Sequence, residues 1–226
     1  MVMATDLALM RLLQLVSPSL PIGMYSYSQG MERAVDDGWI ATPSDAEEWI
    51  SGIMENGLTC IDLPILARLY TTWDSNEEES VLYWSRTLIA CRETAELRAE
   101  DRQTGQALAR LLAEMELPIM QSWIRKPEAT LATTFSYVAV MWEVSKHQAL
   151  LGYLWSWLEN QILCAVKLVP LGQVAGQRLL ADLAAKIPGL VDKALQLTDA
   201  EIGGSAFGLA LASSRHEMQY SRLFRS

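Results

Sequence analysis

Gln148–Val169 reads QALLGYLWSWLENQILCAVKLV. Leu151, Leu154, Leu158, Ile162, Ala165 and Val169 recur at helical spacing, and Trp155, Trp157, Leu163 and Val166 widen that stripe. The apolar region between Lys146 and Lys167 carries Glu159 and has no charge-free run of about 18 residues, the length a membrane span needs. It therefore predicts a helix near the centre of a water-soluble fold.

The pattern on either side is also helical. After Pro170, residues 172–186 and 188–197 keep the period, and upstream Pro127 stands where an N1 proline opens a helix to about Lys146. Leu108, Leu111, Leu112 and Met115 mark another helix, with Gly105 expected to weaken or break it and Pro118 to end it. Asp74, Ser75 and Asn76 precede Glu77, Glu78 and Glu79, acids placed where a first-turn dipole favours them, in a helix expected to run beyond Arg98. Leu66, Leu69, Tyr70 and Trp73 belong to a helix starting near Pro64. Ser44 and Glu47 suggest a capping box for a helix to about Leu58. A short helix is expected from Ser28 to Asp37, ending at Gly38. Leu9, Leu12, Leu13 and Val16 form the first helix, capped by Thr5 or Asp6 and stopped by Pro18 and Pro21. Strand-like alternation is almost absent. The expectation is an all-α, single-domain helical bundle of about eight to ten helices over residues 1–212, followed by a mobile tail at 213–226.

The 226 residues suffice to bury roughly 70–75% of the unfolded surface without staples. Eight tryptophans and ten methionines supply packing volume. A formal charge of −9 argues against nucleic acid as a partner, because phosphate neutralisation needs a positive field. Cys60, Cys91 and Cys164 are odd in number and lack CxxC spacing, which fits a reducing, cytoplasmic setting. The N-terminal run carries Asp6 and Arg11 and lacks a basic n-region, so no signal peptide is expected.

Catalytic and metal patterns fail one by one. His216-Glu217-Met218-Gln219-Tyr220 begins like HExxH, but Tyr220 replaces the second histidine that would hold zinc. His147 is the only other histidine. No P-loop is present, and the glycine-rich Gly203–Gly208 follows no strand and reads as a mobile connector. These readings assign no catalytic residue, metal or cofactor.

Three charged features remain. CRETAELRAEDR, Cys91 to Arg102, packs three arginines and four acids, with Arg92 facing Glu96 and Arg98 facing Asp101. It is either a solvated face or a charged docking helix offering Arg92, Glu93, Arg98 and Arg102. Lys167, at an apolar helix end, either snorkels beside the C-terminal carbonyls or meets a partner. The closing SSRHEMQYSRLFRS sets Arg215, Arg222 and Arg225 against one acid, Glu217. Ser214 and Glu217 suggest a capping box for a short helix from Arg215, with Tyr220, Leu223 and Phe224 on one side and the arginines on another. Such a segment is either a partner anchor or docks on its own body.

SPSLPIGMYSYSQGMERAV, Ser17 to Val35, concentrates two prolines, two glycines and four serines directly after an apolar helix. It resembles the N-terminal signature of the UreF family of urease accessory proteins, SPxLPIGxxxYSxGLE, with Met31 where leucine is usual. DLPILARLY (62–70), CRETAELRAEDRQTG (91–105), VKLVPLGQ (166–173) and SRHEMQYSRLFRS (214–226) match the same family in order. Ala95 departs from it, where a more polar residue is expected. The resemblance implies an all-α, dimeric, non-catalytic protein that bridges the scaffold UreD (also UreH) to the GTPase UreG for nickel insertion into apo-urease. Carried over by position, Arg215, His216, Glu217, Tyr220, Ser221, Arg222, Leu223, Phe224 and Arg225 are expected to face UreD. Glu32 and Lys167 are expected to face UreG, with Tyr25, Tyr27 and Gln29 either ordering a shared surface or serving only turn packing. As a GTPase activator, the protein would lend an arginine among Arg92, Arg98 and Arg102. The rival class is a protein that binds nickel itself, which two dispersed histidines disfavour.

Overall fold

In a computed structural model that describes residues 6–226, the chain forms eleven α-helices. They are α1 (Asp6–Leu15), α2 (Met31–Asp36), α3 (Pro43–Ile53), α4 (Asp62–Asp74), α5 (Glu78–Ala90), α6 (Ala95–Glu114), α7 (Leu131–Met141), α8 (Lys146–Leu168), α9 (Gln173–Ala184), α10 (Ile187–Gln196) and α11 (Phe207–His216). No strand occurs among the described residues, and the domain is single and all-α. None of these helices is long and apolar enough to cross a membrane. Thr5, one of the two caps expected for α1, lies outside the described residues.

The centre of the fold is α8 with α4 and α7. Helix α8 is buried well beyond its leucine stripe, with Tyr153, Trp157, Asn160, Gln161 and Cys164 also inside. The reason is that it touches α1, α2, α4, α7, α9 and α10, so few of its faces stay free. On α4, Leu63, Ile65, Leu66 and Leu69 are fully buried. Helix α7 carries hydroxyls into this core and satisfies them internally. Ser85 Oγ lies 2.7 Å from Thr133 Oγ1, which lies 2.8 Å from Thr130 Oγ1, while the Trp73 indole N–H donates to the Thr133 carbonyl at 3.0 Å. Buried polar atoms with partners cost little; without them each would cost about 1–3 kcal/mol.

Several boundaries differ from the sequence expectation. Thr42 and Asp45, not Ser44 and Glu47, form the capping box of α3, which leaves Pro43 at the first helical position. Pro127 does not open a helix, because Thr130 caps α7 four residues after the expected start. The charged run is not continuous with the helix before it: the chain breaks after Ala90 and Thr94 caps α6. Ser214 opens no helix; α11 runs through it and ends at His216. The Gly203–Gly208 connector packs closely, with the Gly203 N–H donating to the Cys60 carbonyl at 3.1 Å.

Gly105 is the clearest reversal, since α6 runs straight through it. A Cβ there would lie 2.1 Å from the Ala129 carbonyl oxygen, so the glycine lets the loop before α7 cross α6 in backbone contact. Gly105→Ala is therefore expected to cost about 3 kcal/mol through overpacking against backbone. Thermal unfolding should show a Tm lower by roughly 6–12 °C. A change under a degree would mean that the crossing has ample room.

Candidate partner-binding surface

The turn before α2 is built by left-handed residues. Gly23 has φ 76°, Gly30 has φ 74°, and between them Gln29 holds φ 51°. A Cβ on Gly30 would lie 2.9 Å from the Ser213 backbone nitrogen, so a side chain there would push α11 away. The turn's side chains point inward and are spoken for. Gln29 donates to Glu100 at 2.8 Å and accepts from the Trp157 indole at 2.8 Å. Tyr27 donates its hydroxyl to Gln103 at 2.8 Å, and its carbonyl accepts from Asn160 at 3.0 Å. Tyr25 reaches Glu159 at 3.3 Å, and burial together with that carboxylate pushes its hydroxyl pKa well up.

The closing segment lies along this turn. Glu32, in α2, accepts from the backbone N–H groups of Leu223 at 2.6 Å and Phe224 at 2.8 Å, one with each carboxylate oxygen. The Arg225 N–H donates to the Ser26 carbonyl at 2.8 Å, and the Ser28 N–H donates to the Ser226 carbonyl at 2.7 Å. Phe224 is buried under the Lys167 ammonium, which sits 5.4 Å from the ring centroid. His216 is fully buried, with Nδ1 2.7 Å from Glu96 and Nε2 3.5 Å from Glu32. Arg222 donates to the other Glu96 oxygen at 2.7 Å and to the Glu217 carbonyl at 2.6 Å. The Glu217 carboxylate accepts from the Ala95 N–H at 3.0 Å, within the first turn of α6.

The tail is thus an irregular strap with two sides. His216, Phe224 and Ser226 are buried, whereas Met218, Tyr220, Ser221, Leu223 and Arg225 face solvent. Tyr220 is wholly exposed. This corrects the helical side assignment, which grouped Phe224 with Tyr220 and Leu223. Arg215 stays outside too, stacking over Trp39 at 5.2 Å and pairing with Asp37 at 2.9 Å.

The two expected partner faces meet here. Glu32 is buried beneath the tail backbone and holds it, and Lys167 is exposed beside Phe224. The charged run does not form one face. Arg92 is a partly buried tie, with Nε 2.7 Å from Asp101 and Nη1 3.1 Å from Asp62, in place of the expected pair with Glu96. Arg98 donates to the Arg92 carbonyl at 2.6 Å, not to Asp101, while Glu93 and Arg102 are exposed.

Glu96, Glu100 and Gln103 were missed as site residues. Their i, i+4, i+7 spacing on α6 was the available signal, and all three hold the turn or the tail. Glu100 accepts from Gln29 and, at 3.0 Å, from the Ser226 hydroxyl. Burial pushes its carboxyl up to about 7, against the pull of those two hydrogen bonds. A carboxyl raised on folding contributes stability below its unfolded value that is lost as pH rises through the folded one. The wild-type fold should accordingly lose about 1 kcal/mol more between pH 6 and pH 8 than Glu100→Gln. Urea unfolding of both proteins across that window checks this, and parallel curves would refute it.

Among the described residues no group of three or more His, Cys, Asp and Glu side chains is placed to hold a metal ion. Fold and site together define an all-α, single-domain protein whose closing segment straps back over its opening turn. A family model described as UreF matches residues 40–184. The "Urease accessory protein UreF" of Alkalilimnicola ehrlichii is 50% identical over 220 residues, 97% of this chain and 96% of the relative. That of Pseudomonas putida F1 is 47% identical over 99% of this chain and all of the relative, and that of Hahella chejuensis 44% over 97% and 99%. The chain belongs to the UreF family of urease accessory proteins, and its role lies in urease maturation.

Proposed function

We propose that the protein is a non-catalytic scaffold of nickel insertion, a cytoplasmic homodimer that bridges the UreD/UreH-type scaffold to the UreG GTPase on the way to apo-urease. The carrying observation is the two-sided tail: an inner side anchored by Glu32, Glu96 and Glu100, and an outer side offering Met218, Tyr220 and Leu223. Aromatic side chains held outward on an anchored backbone are enriched at interface hot spots, and methionine is enriched at interfaces generally. Their ordering entropy is already spent within the chain. The UreD-type partner meets this outer side. The GTPase meets the neighbouring face at Lys167, which Glu32 shapes through the tail rather than by direct contact. The protein regulates GTP turnover through that face and brings no cofactor or metal of its own. Of the three candidate arginines, Arg102 alone is fully surface-placed, whereas Arg92 is committed to Asp62 and Asp101.

The test is size-exclusion light scattering with the UreD-type partner, comparing the full chain with one ending at Ala212. Complex formation by the full chain alone supports the reading; equal binding by both overturns the tail assignment. GTP turnover by the GTPase with and without the protein tests regulation directly, and an unchanged rate refutes activation.

A further inference from the structure

An open groove of about 400 Å³ lies between α3 and the start of α11, apart from the tail contacts. Three aromatic side chains line it: Trp39, Trp49 and Phe207. Phe207 is 75% exposed and Trp39 38%, so both rings stand open to water at the groove. The Trp49 indole N–H is buried without a hydrogen-bond partner. Asp45 and Glu48 also line the groove, the Asp45 carboxylate accepting from the Ala41 and Thr42 N–H groups, and no lysine or arginine is among the described lining residues. Aromatic faces beside carboxylates in an open cleft suit one chemistry, a cation carried on an apolar stem. The rim already displays it, because Arg215 stacks on Trp39 and pairs with Asp37.

We propose that this groove takes an arginine- or lysine-bearing, apolar-flanked segment of the same scaffold partner that meets the tail. The inference rests on the scaffold reading above, and α11 supplies the continuity. Phe207 and Leu209 at its start line the groove, and its end leads into the tail, about 15 Å away along ten residues. One partner lying along α11 would cover both. The charge of −9 on this chain adds long-range attraction for a basic segment.

The experiment uses the full chain and the purified UreD-type partner. Affinities are measured for wild type, Glu48→Arg and Phe207→Ala. Both side chains are exposed, so thermal melts should match wild type. Each variant is expected to weaken binding at least tenfold, and Glu48→Arg to flatten the salt dependence of Kd. A photo-crosslinking p-benzoyl-phenylalanine at position 207 should capture a partner peptide containing lysine or arginine. If wild type binds but both variants bind within twofold of it, the groove proposal is overturned and the scaffold reading stands. Capture of a peptide without a basic residue, or of a second copy of this chain, also overturns it. If wild type does not bind the partner at all, the scaffold reading fails and the groove proposal falls with it.

Discussion

Arg92→Ala is expected to destabilise the fold by about 3–5 kcal/mol, the cost of removing one partner from a buried ion cluster. For a domain of this size that is a Tm lower by roughly 6–20 °C. The guanidinium joins Asp62, at the first residue of α4, to Asp101 on α6, and both carboxylates are largely buried. Taking it away leaves two like charges facing each other, with the Leu131 backbone N–H to Asp101 as a partial offset to their desolvation. Burial pushes the Asp101 carboxyl up, and Arg92 is the largest influence pulling it back down. Without Arg92 that carboxyl should rise further, so the deficit of the variant ought to shrink as pH falls from 7 to 5. Arg92→Lys keeps the charge but not the fork that spans two carboxylates, and it should fall between wild type and alanine. Urea unfolding at both pH values gives the comparison. A loss under 1 kcal/mol at pH 7 would mean the cluster does not hold α4 and α6 together. If Arg92 instead served a partner's GTP, its removal would abolish GTPase stimulation and leave the Tm where it was.

That arginine shows where sequence reading stops. Its run looks like a solvated helical face, since Arg92 and Glu96 stand four apart and Arg98 and Asp101 three apart. Local spacing assumes one helix, but Arg92 lies in the break between α5 and α6, so the Arg92–Glu96 geometry never forms, and Arg98, though on α6 with Asp101, turns to the Arg92 carbonyl. Its true partner Asp62 is thirty positions away, and no periodicity reports that separation. Gly105 failed for a related reason. Propensity treats glycine as a breaker, whereas the crossing loop needs the missing side chain. The α8 stripe was legible because burial there follows the helical period itself.

The tail's composition was legible and its arrangement was not. The tail's mixture of arginine and aromatic residues marked it as a candidate, and the family resemblance made Glu32 and Lys167 expected partner contacts. Neither indicated that Glu32 is underneath the tail or that Phe224 turns inward while Tyr220 and Leu223 turn out. Those facts depend on a contact between residues 32 and 224, nearly the whole chain apart. The turn glycines were readable as turn formers, but the close approach of Gly30 to Ser213 was not.

Glu32→Ala should release the tail while leaving the helical core intact. Two backbone N–H groups, of Leu223 and Phe224, lose their Glu32 acceptor, and each bond to a charged group contributes about 1.5–3 kcal/mol. The local opening free energy of the strap should drop by roughly 3–5 kcal/mol. Hydrogen exchange at the Phe224 and Arg225 amides would then accelerate about 150- to 5,000-fold, up to the limit set by full exposure, while α4 and α7 amides stay protected. Lys167→Ala removes only the cation over the Phe224 ring, about 0.5–1 kcal/mol, and should change exchange far less. On the scaffold reading, the partner binds the strapped tail, so its apparent affinity should fall with the strapped fraction. Partner affinity and exchange protection must therefore decline together across Glu32→Ala, Glu32→Gln and Lys167→Ala. Loss of protection with undiminished affinity would mean that the partner binds the released tail. Unchanged exchange in Glu32→Ala would mean that the carboxylate is not what holds the strap.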